Sequence, residues 1–161
     1  MNALTQLHGN VLTPHGWTHG SMVFDQRIRS IDGRPLRQQP RVIDEGDYIL
    51  PGFIDLHVHG GGGRDVMEGG DAVQVLSRLH ARHGTTSLLA TTMTAPLDEL
   101  EVALKAIRSS TDARLPGHSR VLGVHLEGPY INPGKLGAQP DFAIAASLEQ
   151  VDYLENIGMV K

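Results

Sequence analysis

Leu50-Pro51-Gly52-Phe53-Ile54-Asp55-Leu56-His57-Val58-His59-Gly60 places two imidazoles two positions apart at the end of an apolar run. Alternate residues of a β-strand point to one face, so Phe53, Asp55, His57 and His59 are expected on one side and Ile54, Leu56 and Val58 on the other. A strand of a parallel barrel has this asymmetry when its inward residues build a site at the C-terminal mouth and its outward residues pack under helices. His-x-His at such a strand end is a candidate metal-ligand pair, because neutral imidazole binds divalent cations readily. The plainer alternative is a hairpin strand carrying two solvated histidines.

Toward the C-terminus, Gly60-Gly61-Gly62-Gly63-Arg64-Asp65 reads as a loop whose backbone can be approached closely. It lacks the Gly-Lys-Ser/Thr ending of a P-loop and opens no Gly-x-Gly-x-x-Gly helix, so nucleotide binding is not expected. Asp71 reads as an N-cap for a helix carrying Ala72, Val75, Leu76, Leu79 and His83 on one face and stopped by Gly84. His80 and His83 read as helix surface. Thr85 to Thr92 reads as a second strand, and Pro96 opens a helix with the stripe Leu97, Leu100, Leu104 and Ile107 and an ion pair from Glu101 to Lys105. In Arg120-Val121-Leu122-Gly123-Val124-His125-Leu126-Glu127-Gly128-Pro129 the parity repeats. Leu122, Val124 and Leu126 are expected on one face, and Gly123, His125 and Glu127 on the other, which puts a carboxylate on the polar side of a third strand end. Ser147 and Gln150 predict a capping box for a last helix with Val151, Leu154 and Ile157, ended by Gly158. The order βαβαβα argues for parallel strands joined by right-handed crossovers.

Toward the N-terminus, residues 1–49 show no helical period. Ala3 to Thr13 and Trp17 to Ile31 alternate loosely as short strands, with His8-Gly9-Asn10, Pro14-His15-Gly16 and Asp32-Gly33 as punctuation, and the run from Val42 to Leu50 leads into the histidine strand. His8, His15 and His19 read as solvated turn residues and Trp17 as a packing residue. Two domains are expected, 1–49 and 50–161. The chain has 161 residues, a formal charge of −4 and no cysteine. It has no basic footprint, so neither nucleic acid nor an anionic membrane is an expected partner. Without thiolates, any metal must be held by His and carboxylate. No long apolar span or leader pattern is seen, which suggests a cytoplasmic location.

Pro51 to Gly60 resembles the first barrel strand of the amidohydrolase superfamily, and it follows a β-rich N-terminal segment, as in those enzymes. His125-Leu126-Glu127-Gly128-Pro129-Tyr130, with Lys135-Leu136-Gly137-Ala138-Gln139-Pro140, is similar to the signature of the N-acetylglucosamine-6-phosphate deacetylases. The resemblance implies an α/β fold comprising the first three βα units of a (β/α)8 barrel of the metal-dependent-hydrolase type, preceded by part of a small β-sandwich. It implies a metal ligand at Glu127 and, in members with a His-x-His first strand, further ligands at His57 and His59. Ala138 and Gln139 match the loop that contacts the amino-sugar phosphate substrate. One or two divalent ions, zinc, iron, manganese or cobalt, would activate the hydrolytic water, while an Asp from the last strand handles the proton.

That Asp, two further metal-binding histidines and most phosphate-binding residues of the family lie on later strands, and neither His118 nor Asp141 is an obvious substitute. A complete barrel needs about 200 to 250 residues. The chain is therefore expected to be an N-terminal part with no activity of its own, whose full-length form would be a homodimer. An open three-stranded sheet is expected to expose its edge and the faces of Leu122, Val124 and Leu126. Two other readings stay open. An amidohydrolase of cyclic amides would explain His57 and His59 but make the Gly-Ala-Gln-Pro loop accidental, and a non-catalytic metal-binding or assembly module would suit the short length.

Overall fold

The computed structural model describes residues 3–41, 46–113 and 115–161, in two compact units, Met1–Pro51 and Gly52–Lys161. Part of the run leading into the histidine strand, residues 42–45, lies outside the described residues.

In the first unit, β1 (Thr5–Thr13) and β2 (Gly16–Phe24) form an antiparallel hairpin with Thr13 opposite Gly16. Strand β3 (Ile28–Pro35) continues it, and the short β4 (Tyr48–Ile49) runs parallel to β1, giving the order β3-β2-β1-β4. Asp32-Gly33, expected as a turn, lies inside β3. Gly33 stands opposite Gly20, and a Cβ on either residue would strike the facing backbone, so the pair serves close strand approach. The chain instead reverses around Asp25, whose carboxylate accepts from the Arg27 N–H at 2.9 Å. Contrary to the turn assignment, His8 and His19 are strand residues with rings edge to face at 5.4 Å, and His19 Nδ1 lies 2.9 Å from Asn10 Oδ1. His15 is the exposed turn residue expected. Trp17 packs edge to face on Tyr48.

The second unit is built on three parallel strands, β5 (Phe53–Val58), β8 (Thr85–Thr91) and β9 (Arg120–His125), in that order. Helices α1 (Ala72–Arg82) and α2 (Leu97–Asp112) make the crossovers, and α3 (Leu148–Gly158) follows β9. The parallel βαβαβα order is as expected. After α3, Val160 forms a parallel bridge to Val124. The core lies between strands and helices, with Leu76, Leu88, Leu104, Ile107, Val124 and Leu154 fully buried. The apolar stripe of α2 is as read, with Leu97 partly buried and Leu100, Leu104 and Ile107 buried, and Lys105 Nζ is 2.8 Å from Glu101 Oε2.

Several local expectations are corrected. The glycine stretch is a small ribbon, β6 (Gly60–Gly61) against β7 (Arg64–Asp65), because Gly62 and Gly63 both take positive φ, 67° and 77°. A 3₁₀ turn, Val66–Glu68, then closes on a capping box between Asp65 and Glu68. Asp71 precedes α1 without capping it by side chain, since its carboxylate takes Arg64 Nη1 at 2.7 Å. The buried face of α1 is Ala72, Val73, Leu76 and Ser77, while Val75 and Leu79 lie beside Gly62 and Gly61. Ser147 makes no side-chain cap on α3, and the left-handed residue ending that helix is Met159, φ 56°. Gly158 is needed for packing, as a Cβ there would sit 2.6 Å from Leu104 Cδ2.

The strand faces also depart from strict alternation. Leu122 is an unpaired extra residue in the β8–β9 register, between Val121, paired with Leu88, and Gly123, paired with Leu89. Val121 and Val124 therefore share the core, and Leu122 does not join it. Val124 is fully buried and Leu126 packs on the core, so the expected exposure on β9 is absent. It falls on β5 instead, where Phe53, Ile54 and Leu56 are about 60 % exposed and only Val58 reaches the core. β5 is the sheet edge, with register shifts at both ends of its pairing to β8.

Candidate metal centre

β5 leaves the regular ladder before its end, and Thr91 at the end of β8 fixes where it goes. The Val58 N–H donates to Thr91 Oγ1 at 2.9 Å, and His59 Nδ1 donates to the Thr91 carbonyl at 3.2 Å. A carbonyl can only accept, so Nδ1 of His59 carries the proton and Nε2 presents a lone pair. The His57 N–H donates to Asp55 Oδ1 at 3.1 Å. Its ring stands edge to face with that of His125, 4.7 Å between centroids, and His125 Nδ1 donates to the Leu56 carbonyl at 3.0 Å. The chain turns directly after Glu127 at Gly128, whose φ of 74° suits glycine and where a Cβ would run into the Thr94 side chain.

These constraints bring His57, His59 and Glu127 together, as their shared parity anticipates. Nε2 of His57 is 3.0 Å from Nε2 of His59, and Glu127 Oε2 is 3.0 Å from the first and 3.1 Å from the second. Both imidazoles are within ion-pair distance of Oε2, yet neither ring places an N–H along the line to it. Oε2 is buried and accepts no hydrogen bond among the described residues. A buried carboxylate oxygen without a proton donor is costly, and three converging ligand atoms about 3 Å apart have the spacing of groups bound at ~2.1 Å to one cation. The trio can hold a divalent metal ion.

The other carboxylate oxygen, Oε1, accepts from Gln139 Nε2 at 2.8 Å, and Gln139 Oε1 accepts from the Thr94 N–H at 2.8 Å. Gln139 thus lies at the centre, while Ala138 is exposed on the loop beside it. Nearby, burial holds the Tyr130 hydroxyl above the usual phenol range. His80 is not among the converging residues, its Nε2 donating to the Gly60 carbonyl at 3.1 Å, and His83 is exposed. The sequence names His125 beside Glu127 without giving it a role, and it gives no signal for Thr91. The parity that groups His125 with Glu127 was a usable signal for His125, whereas Thr91 reads only as part of a β-branched run. Among the described residues no helix is long and apolar enough to cross a membrane.

No protein-family model matches the chain. It is 42% identical over 135 residues to N-acetylgalactosamine-6-phosphate deacetylase of Escherichia coli O157:H7, covering 81% of this chain and 34% of that protein. It is 35% identical over 138 residues to N-acetylglucosamine-6-phosphate deacetylase of Bos taurus, covering 83% and 33%. The crystal structure of N-acetylglucosamine-6-phosphate deacetylase from Pasteurella multocida superposes with a TM-score of 0.75 at 25% identity, over 96% of this chain and 42% of that one. The chain therefore spans about a third of the length of the curated relatives it matches. Sequence likeness and a shared fold agree, and the chain belongs to the N-acetylglucosamine-6-phosphate deacetylase family.

Proposed function

We propose that this chain supplies a metal-binding portion of an enzyme that hydrolyses the acetamide of N-acetylglucosamine 6-phosphate to glucosamine 6-phosphate and acetate. The observation that carries the reading is the orphaned Oε2 of Glu127 between two imidazole nitrogens, in a chain whose relatives are named as deacetylases of acetamido-sugar phosphates. His57, His59 and Glu127 would hold one or two divalent ions, with zinc, iron, manganese and cobalt all suited to such ligands. A cation held there would polarise the acetyl carbonyl and acidify water. The chain's own part is to keep three ligand atoms converged, with Thr91 fixing the tautomer of His59. Ala138 and Gln139 would lie on the substrate side of the loop.

Proton transfer to the leaving amine needs a positioned acid-base group, and none of the three ligands is free to serve. The 161-residue chain alone is therefore proposed to bind metal without turnover, the active form being a longer homodimeric polypeptide. The test is a chimera in which this stretch replaces the matching third of the Bos taurus relative, itself named as an N-acetylglucosamine-6-phosphate deacetylase. Acetate release from N-acetylglucosamine 6-phosphate that is lost with Glu127→Gln supports the reading. A folded chimera that releases no acetate, or one that opens cyclic amides instead, contradicts it.

A further inference from the structure

We propose that Gln139 is a positioning residue for Glu127, acting on the metal centre through the carboxylate. This rests on the reading of His57, His59 and Glu127 as ligands. The Thr94 backbone N–H has only a proton to offer, so the Gln139 atom 2.8 Å from it is the amide oxygen. That contact fixes the amide and turns its nitrogen toward Glu127, where it donates to Oε1 at 2.8 Å. The second N–H of the amide faces Met93 Sδ at 3.6 Å.

Two consequences follow for the carboxylate. With one lone pair of Oε1 engaged by Gln139, Oε2 is the oxygen left open for a cation, beside Nε2 of His57 and His59. The terminal torsion of a glutamate is otherwise a broad rotor, and this bond removes that freedom. Glu127 therefore offers one oxygen in one place.

The experiment is a double-mutant cycle on the full chain, with Co²⁺ affinity measured by chelator competition and the visible cobalt spectrum recorded alongside. Gln139→Ala is expected to weaken Co²⁺ binding ~10- to 100-fold and to change the spectrum. In a Glu127→Gln background the same substitution is expected to cost nothing further, a dependence that a merely structural glutamine would not show. Gln139→Met, equal in length but unable to hydrogen-bond, should reproduce the loss if Gln139→Ala fails to fold. Affinity within about twofold of wild type, or equal losses in both backgrounds, overturns the proposal and leaves the metal site standing. Wild-type protein that takes up no Co²⁺ overturns both.

Discussion

Thr91 carries more of the site than its residue type suggests. Its hydroxyl accepts the Val58 N–H where β5 drops out of register, and its carbonyl sets the tautomer of His59. Thr91→Val keeps the shape and removes the acceptor, so a buried N–H is left unpaired at a cost of about 1–3 kcal/mol. Urea unfolding of the chain should show that loss, and an unchanged midpoint would mean that the contact contributes nothing. At this scale the three converging residues were legible in the sequence and their supports were not. His57, His59 and Glu127 announce themselves by residue type and by a two-residue period. Thr91 is one threonine in a β-branched run, and the bond from Gln139 to Glu127 depends on where a twelve-residue connection returns.

At the scale of elements, packing decided what the sequence left open. α3 lies on α2 where Gly158 meets Leu104, so Gly158→Ala is expected to destabilise the chain by about 1–3 kcal/mol despite alanine's better helix propensity. Thermal unfolding tests the sign, since a gain would show that α3 is free to move away. The ribbon after β5 is clamped by Arg64, which reaches Glu68 at 2.6 Å and Asp71 at 2.7 Å. The Asp65 N–H, and then Arg64, hold the Glu68 carboxyl below its ordinary value near 4.5. A pKa depressed in the folded state gives stability that is present above that value and lost as pH falls through the folded one. Glu68→Gln should therefore flatten the acid limb of a stability profile measured between about pH 3 and 6. An identical acid limb would show the clamp to be without effect. Helix order and strand direction were readable because apolar periods of 3.6 and 2 are local. The bulge at Leu122 was not, since it exists only in the pairing of β9 with β8.

For the whole molecule, the sequence conveyed the parallel arrangement of the second unit and the presence of a separate β-rich unit before it. It misjudged which apolar surface stays open. α3 packs on α2 and the bridge at Val160 joins β9, whereas the exposed residues Phe53, Ile54 and Leu56 lie on the β5 edge. A ligand that binds only the folded chain stabilises it by about 2.7 kcal/mol at a hundred times its Kd. Zn²⁺ should therefore raise the Tm of the wild-type chain, a chelator should reverse the rise, and Glu127→Gln should need much higher Zn²⁺ for the same rise. The most direct measurement is an anomalous difference map from crystals of the chain grown with Zn²⁺. A peak is expected about 2.1 Å from Nε2 of His57, Nε2 of His59 and Oε2 of Glu127. A map with no peak among these three side chains, or with zinc bound only at other residues, would contradict the metal assignment.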